Sequence, residues 1–236
     1  MPVTLKRVHS TAIVFLISCS IPSRLPAQSF YGTTGLIKTP TAEVAECGTA
    51  AIGGGYAADH LGQSTMISRD WSLFATIGLA PRLEAGLRLA YGRLLLKSTT
   101  DRMLNVKCLL TRESRFVPAT ALGGQDIIGG CRNFNSLYVV SSKNLGFLGI
   151  DRIRIHLGWG TDWWDFILGK ASGHRFIGPF GGIEARVVPF LGLLAEYDAD
   201  DINLGARLSV KRILNVTVNL VAMKKLGCVA SLVFSI

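Results

Sequence analysis

Apolar and polar residues alternate with a period of two from Asp201 to Ala222. In the first arm Ile202, Leu204, Ala206, Leu208 and Val210 alternate with Asn203, Gly205, Arg207 and Ser209. In the second, Leu214, Val216, Val218, Leu220 and Ala222 alternate with Asn215, Thr217 and Asn219. Successive strand side chains point to opposite faces, so each arm predicts a strand with one oily and one wet face. The intervening Lys211-Arg212-Ile213 makes the pair a hairpin.

The pattern recurs along the chain. In Leu83 to Tyr91 the oily set is Leu83, Ala85, Leu87, Leu89 and Tyr91, against Glu84, Gly86, Arg88 and Ala90. Ile153, Ile155, Leu157 and Trp159 stand against Arg152, Arg154, His156 and Gly158, and Cys228, Ala230, Leu232, Phe234 and Ile236 share one face. Twelve strands are predicted. The first six are Thr49–Ala58, Trp71–Leu79, Leu83–Leu94, Met103–Leu110, Val117–Ile127 and Phe134–Ser142. The rest are Arg152–Trp159, Pro179–Val188, Leu191–Asp198, Asp201–Val210, Leu214–Met223 and Leu226–Ile236. Val117–Ile127 is broken by Pro118 and Gly123-Gly124, and alternation is poor in Phe134–Ser142.

These lengths approach the nine to eleven residues, roughly, that a tilted strand needs to cross hydrocarbon. Membrane barrels have short periplasmic turns and longer outside loops. With the first strand running outwards, Ala80-Pro81-Arg82, Pro189-Phe190 and Lys211-Arg212-Ile213 are periplasmic and short. The long gaps Asp59–Asp70 and Gly160–Gly178 fall outside. Two connections disagree: Ser142–Asp151 is too long for a periplasmic turn, and the outside loop at Lys224-Lys225 is tight. The expected fold is all-β, an antiparallel transmembrane β-barrel of about twelve strands. A soluble sandwich or barrel with the oily face inwards is the rival.

Composition sharpens the choice. Charged residues are 17% of the 236, and mean hydropathy is +0.37. Beyond the N-terminus, however, no apolar run reaches the roughly 18 residues of a spanning helix. High hydropathy spread over alternate positions suits a membrane barrel. Its lumen would carry the charged wet-face residues Glu84, Arg88, Lys107, Arg154, His156, Glu184, Arg186, Glu196 and Arg207. The net charge of +9 is scattered without a basic, aromatic-interleaved stripe, which argues against nucleic acid as a partner.

Residues 1–27 have the parts of an export signal: basic Lys6, Arg7 and His9, an apolar Ala12–Ile17, and in Ile21–Ala27 a small residue at a cleavage point after Ala27. Leu16-Ile17-Ser18-Cys19 also has the form of a lipobox that would lipidate Cys19, and the two readings stay open. Residues 28–48, with Gly32, Gly35 and Pro40, are expected to be irregular and to lie near the periplasmic mouth, and residues 49–236 to form the barrel. Glycine in a barrel strand permits close approach of another segment. Gly53-Gly54-Gly55 therefore raises the hypothesis that Tyr31 to Pro40 folds into the lumen. Cys47, Cys108, Cys131 and Cys228 have no metal-ligand spacing; Cys47 with Cys131 is a candidate disulfide, and no metal or cofactor is expected.

Several separated segments carry a resemblance. Tyr31–Ala42 reads G-x-x-G-L-I-x-T-P-T-A after the tyrosine, and Pro118–Gly130 reads P-A-T-A-L-G-G-Q-D-I-I-G-G. Tyr138–Lys143, Leu157-Gly158-Trp159-Gly160, Phe180–Glu184 and Ala195–Asp198 follow in order. Together they resemble the YjbH-like outer-membrane proteins associated with exopolysaccharide production. The resemblance implies an exported barrel in the Gram-negative outer membrane, without established enzymatic activity. Its partners would be outer-membrane lipid, extracellular polysaccharide and the export machinery. The chain departs from the pattern in being shorter than many members and in ending Phe234-Ser235-Ile236 without a terminal aromatic.

Candidate chemistry is sparse. His156 lacks a serine two residues along, so a hydrogen-bonded lumen histidine is favoured over a hydrolase base. Glu196 to Asp201 could hold calcium, but it lacks the loop spacing and reads better as a solvated turn. Asp162-Trp163-Trp164-Asp165 is either part of an aromatic girdle or a sugar contact. The function expected is a non-enzymatic accessory of exopolysaccharide export or surface assembly. A small outer-membrane pore and a lipid-modifying hydrolase are the alternatives.

Overall fold

The computed structural model describes residues 27–57, 67–94, 97–128, 135–148, 150–162, 176–211 and 213–236. Twelve strands close into one antiparallel barrel. They are β1 (Thr49–Ala57), β2 (Ile67–Ala80), β3 (Leu83–Leu94), β4 (Lys97–Thr111), β5 (Ala119–Gln125) and β6 (Ser136–Leu145). After a 3-10 turn at Gly146–Leu148 come β7 (Ile150–Thr161), β8 (Gly178–Val188), β9 (Leu191–Tyr197), β10 (Ile202–Val210), β11 (Leu214–Val221) and β12 (Lys225–Ser235). Each strand pairs with its sequence neighbours, and β1 pairs with β12 from Thr49↔Ser235 to Ala57↔Gly227. Closure leaves no unpaired edge.

The alternation sorts the side chains as predicted. Ile202, Leu204 and Leu208 point outwards while Asn203 and Arg207 are buried; on β11, Asn215, Thr217 and Asn219 are buried. Leu157 is 68% and Trp159 54% exposed on the outside, and Leu226, Leu232 and Phe234 line up on β12. A closed barrel with this much exposed apolar side chain presents the surface of a membrane-spanning barrel, not of a soluble one. Among the described residues no helix is long and apolar enough to cross a membrane.

The long β6–β7 connection expected from sequence is corrected. β6 runs on to Leu145 and the 3-10 turn fills most of what remains, so the connection is short. It lies with the Pro81-Arg82 and Pro189-Phe190 turns, at the end where the N-terminal segment enters β1; we call this the turn end. The tight β11–β12 connection is real. Lys224 N donates to Val221 O at 3.0 Å, and Ala222 and Met223 have φ of 51° and 54°. Both φ values lie in the left-handed region, for which neither residue is suited. Replacing Ala222-Met223 by Asn-Gly is expected to stabilise the barrel by about 1 kcal/mol, read as a higher unfolding midpoint in denaturant.

Cys47, Cys108 and Cys228 are free thiols, so the disulfide considered for Cys47 does not form. Cys131 lies outside the described residues, as do residues 1–26 of the leader with Cys19, and Trp163, Trp164 and Asp165.

Candidate functional site

The lumen is filled by the chain's own N-terminal segment. Every residue from Ala27 to Ala42 is buried. The segment therefore threads into the barrel instead of resting near its mouth, and it agrees with the in-lumen placement raised for Tyr31 to Pro40. It is a compact double loop. Ser29 N donates to Thr33 O at 2.7 Å, Phe30 N to Ile37 O at 2.7 Å, and Leu36 N to Thr39 O at 2.9 Å. Gly32 sits at φ 74°, which favours glycine.

Barrel-wall side chains satisfy the backbone groups that this loop cannot pair internally. Glu84 accepts from Thr34 N at 2.9 Å and from Ala45 N at 2.7 Å. Lys107, 3.5 Å from Glu84, donates to Thr34 O at 2.8 Å and also to Thr34 Oγ1. Glu196 accepts three consecutive amides, Ile37 N at 3.0 Å, Lys38 N at 2.8 Å and Thr39 N at 3.1 Å. Successive amides converging on one carboxylate form an anion nest, here filled from the barrel wall. Glu196 also accepts Thr39 Oγ1 at 2.8 Å and Asn203 Nδ2 at 2.9 Å. On the neighbouring strand β10, Arg207 Nη2 donates to Gly35 O at 2.8 Å and Leu36 O at 2.7 Å. Buried polar groups must be paired or they destabilise; the charges of this lumen are there to hold the segment.

Three more candidates take part differently. The Arg88 guanidinium lies 4.8 Å from the Phe30 ring centroid and 5.3 Å from that of Tyr31, a cation–π contact. Arg154 pairs with Glu43 at 2.8 Å and with Glu113 at 2.5 Å. Glu184 meets Arg207 at 3.3 Å. Arg186 alone of the nine candidates has no such role; it is half-buried and lines a cavity below the segment. Of the candidate sugar contacts, Asp162 is exposed just beyond β7.

The acidic run is solvated only at its end: Asp200 and Asp201 are exposed on the β9–β10 turn, whereas Glu196 and Asp198 are buried. Asp198 pairs with Lys38 at 2.7 Å and accepts from Asn203 Nδ2 at 3.0 Å. Burial opposes ionisation of Asp198, but Lys38 and these hydrogen bonds hold its pKa below the usual 3.8. Burial likewise disfavours the Lys38 ammonium, yet the electrostatics of Tyr31 and Asp198 hold its pKa above 10.5. The Asp198 contribution to stability is thus present above its unfolded pKa and lost as pH falls through the lower folded value. The Lys38 contribution is present below 10.5 and lost only as pH rises through the higher folded value. Asp198→Asn is therefore expected to lower the unfolding midpoint at pH 7, with the gap to wild type closing as pH falls through the depressed folded pKa of Asp198.

His156 has a partner that its own strand could not reveal. The β6–β7 register sets Ser142 directly opposite it, and Ser142 Oγ lies 2.7 Å from His156 Nδ1. Ser142 Oγ also accepts Ala42 N at 2.8 Å. The serine is wholly buried, and its Oγ is shared between Ala42 N and the imidazole. The pair anchors the segment's exit, and the segment's own backbone covers the serine.

Glycines complete the fit, and sequence reasoning located them only in part. Of Gly53, Gly54 and Gly55, only Gly55 faces the segment, 2.9 Å from Phe30 carbons for an added Cβ. Gly53 and Gly54 face neighbouring strands and the Phe74 and Leu73 side chains. The other depressions are at Gly86, where a Cβ would overlap the Gly32 carbonyl oxygen, at Gly182 against Leu36 and at Gly205 against Ile37. Wet-face glycines opposite an unassigned oily segment were the signal available.

Below the segment, at the turn end, a cavity of about 930 Å³ is bounded by Glu43, Arg154, His156, Arg186, Arg207 and the Pro189-Phe190 turn.

Comparison with known proteins assigns this arrangement to a family. The curated "Uncharacterized lipoprotein YjbH" of Escherichia coli (strain K12) is 30% identical over 149 residues, which is 57% of this chain and 19% of that protein. The chain therefore spans about a fifth of that relative's length. Among solved structures, a NanC porin superposes with a TM-score of 0.47 at 6% identity, covering 79% of this chain and 99% of the porin. A bacterial polysaccharide outer membrane secretin gives 0.36 at 10% identity, covering 82% and 100%. The YjbH family model, described as exopolysaccharide biosynthesis protein YbjH, matches residues 27–231, from the first residue of the luminal segment into the last strand, and the chain belongs to that family.

Proposed function

We propose that the chain is a non-enzymatic outer-membrane barrel, accessory to export or surface assembly of an exopolysaccharide. One observation carries the reading: the family match takes in the luminal segment together with the strands that hold it. The lipoprotein name of the relative supports lipidation at Cys19, and the short turns at the chain-entry end support a periplasmic position for that end.

The geometry weighs against both alternatives. A general pore needs a continuous aqueous path, and residues 27–42 are buried across the lumen. A lipid hydrolase needs an accessible nucleophile on the lipid side; Ser142 faces inwards and its Oγ accepts Ala42 N. Deleting the gene and assaying secreted polymer tests the proposal. Polymer should fall and return with the wild-type copy; unchanged polymer overturns the reading.

A further inference from the structure

The cavity at the turn end has more cationic capacity than the protein itself uses. Its charged lining comprises Arg152, Arg154, Arg186, Arg207 and Lys211 against Glu43, Glu46 and Glu184. Two pairs cancel internally, Arg154 with Glu43 and Arg207 with Glu184. Among the described residues, Arg152, Arg186 and Lys211 form no ion pair. The β7–β8 register sharpens this. Arg154 stands opposite Glu184, and two residues further towards the turn end the same faces carry Arg152 and Arg186. Like charges facing each other across a strand pair are destabilising unless something negative lies between them.

At about 930 Å³ the space matches ordinary ligand sites of about 300–1,000 Å³. Apart from the exposed Glu46, the charged lining groups left without an ion pair among the described residues are cations, and a cationic or apolar ligand would satisfy none of them.

We propose that this vestibule binds a carboxylate-bearing saccharide segment. Its carboxylate lies between Arg152 and Arg186, with Lys211 as a further cation of the same lining. The inference rests on the exopolysaccharide reading and names the chemical class of the sugar at the turn end.

The test is calorimetric titration of the purified full chain in detergent with trigalacturonate, with the neutral galactose trisaccharide and inorganic phosphate as parallel probes. Trigalacturonate should saturate the protein, and the neutral sugar should not. The double substitution Arg152→Gln with Arg186→Gln should weaken binding by about tenfold or more. Lys211→Gln, which removes a lining cation without touching the arginines, should weaken it by a smaller factor. Heat-modifiable gel migration shows whether each variant still forms the barrel. Absence of saturable binding overturns the proposal, and so does equal binding of the neutral sugar. Phosphate binding as tightly as trigalacturonate reduces the site to a simple anion site. Full affinity in a folded double variant removes the assigned residues. None of these outcomes depends on the gene-deletion assay, so loss of polymer without vestibule binding leaves the export role standing.

Discussion

Glu196→Ala is expected to release the luminal segment. The carboxylate accepts three backbone amides, the Thr39 hydroxyl and the Asn203 amide. Glu196 is 3% exposed, so water cannot readily replace it. Each buried donor left unpaired costs about 1–3 kcal/mol, and partial relaxation keeps the total below their sum. A loss of about 3–5 kcal/mol is predicted, read as a lower unfolding midpoint in denaturant. Trypsin gives a local readout. Lys38 is buried and paired with Asp198, so the bond after it should resist cleavage in the wild type and be cut in the variant. Glu196→Gln keeps the shape and one acceptor oxygen but loses the charge, and should fall between the two.

Gly86→Ala is the steric counterpart. A Cβ there would overlap the Gly32 carbonyl oxygen, so backbone stands against backbone and no flexible side chain can yield. That carbonyl is also fixed by Thr76 Oγ1, which donates to it at 2.9 Å. The barrel strand is held by its β2 and β4 neighbours, from Thr76↔Gly86 to Gly86↔Asn105. The plug is the part that gives way. Overpacking of this kind costs about 3 kcal/mol. The expected result in a planar bilayer is a closed wild type and intermittent conductance in the variant, with the barrel still heat-modifiable. A silent Gly86→Ala variant of unchanged stability would show that the segment does not press on the wall there.

The barrel was legible in the sequence because lipid enforces the alternation on its outer face. All twelve strands, and the wet-face positions of Glu84, Lys107, Glu196 and Arg207, follow from that constraint. β6 shows where it fails. Tyr138 and Val140 point inwards and are 2% and 0% exposed, and Ser141 points towards the outer face. Tyr138 stacks edge-on with Phe180, which in turn meets Phe176 next to Tyr31. The inner face is apolar there because an apolar plug, not water, lies against it, and so the period-two signal fades. The same cause hid the Ser142–His156 pair. Its two members lie on neighbouring strands, and their meeting depends on a register that the weak β6 pattern did not fix.

Glu84, Glu196 and Arg207 were identifiable as lumen residues, but not as plug anchors. Each binds a partner 39 to 172 positions away in sequence, a distance over which local pattern carries no information. The acidic run from Glu196 looked solvated for the same reason: Lys38, which neutralises Asp198, arrives from the other end of the chain.

The central claim is that residues 27–42 are part of the folded barrel and close its lumen. Hydrogen exchange followed by mass spectrometry on the purified protein tests it most directly. The amides of Ser29, Phe30, Thr34 and Leu36 to Thr39 are all donated to named acceptors in the buried interior. They should exchange as slowly as those of β3 and β10 and be lost together with them on denaturation. Complete exchange of peptides from this segment within seconds, while β3 and β10 remain protected, would contradict the account.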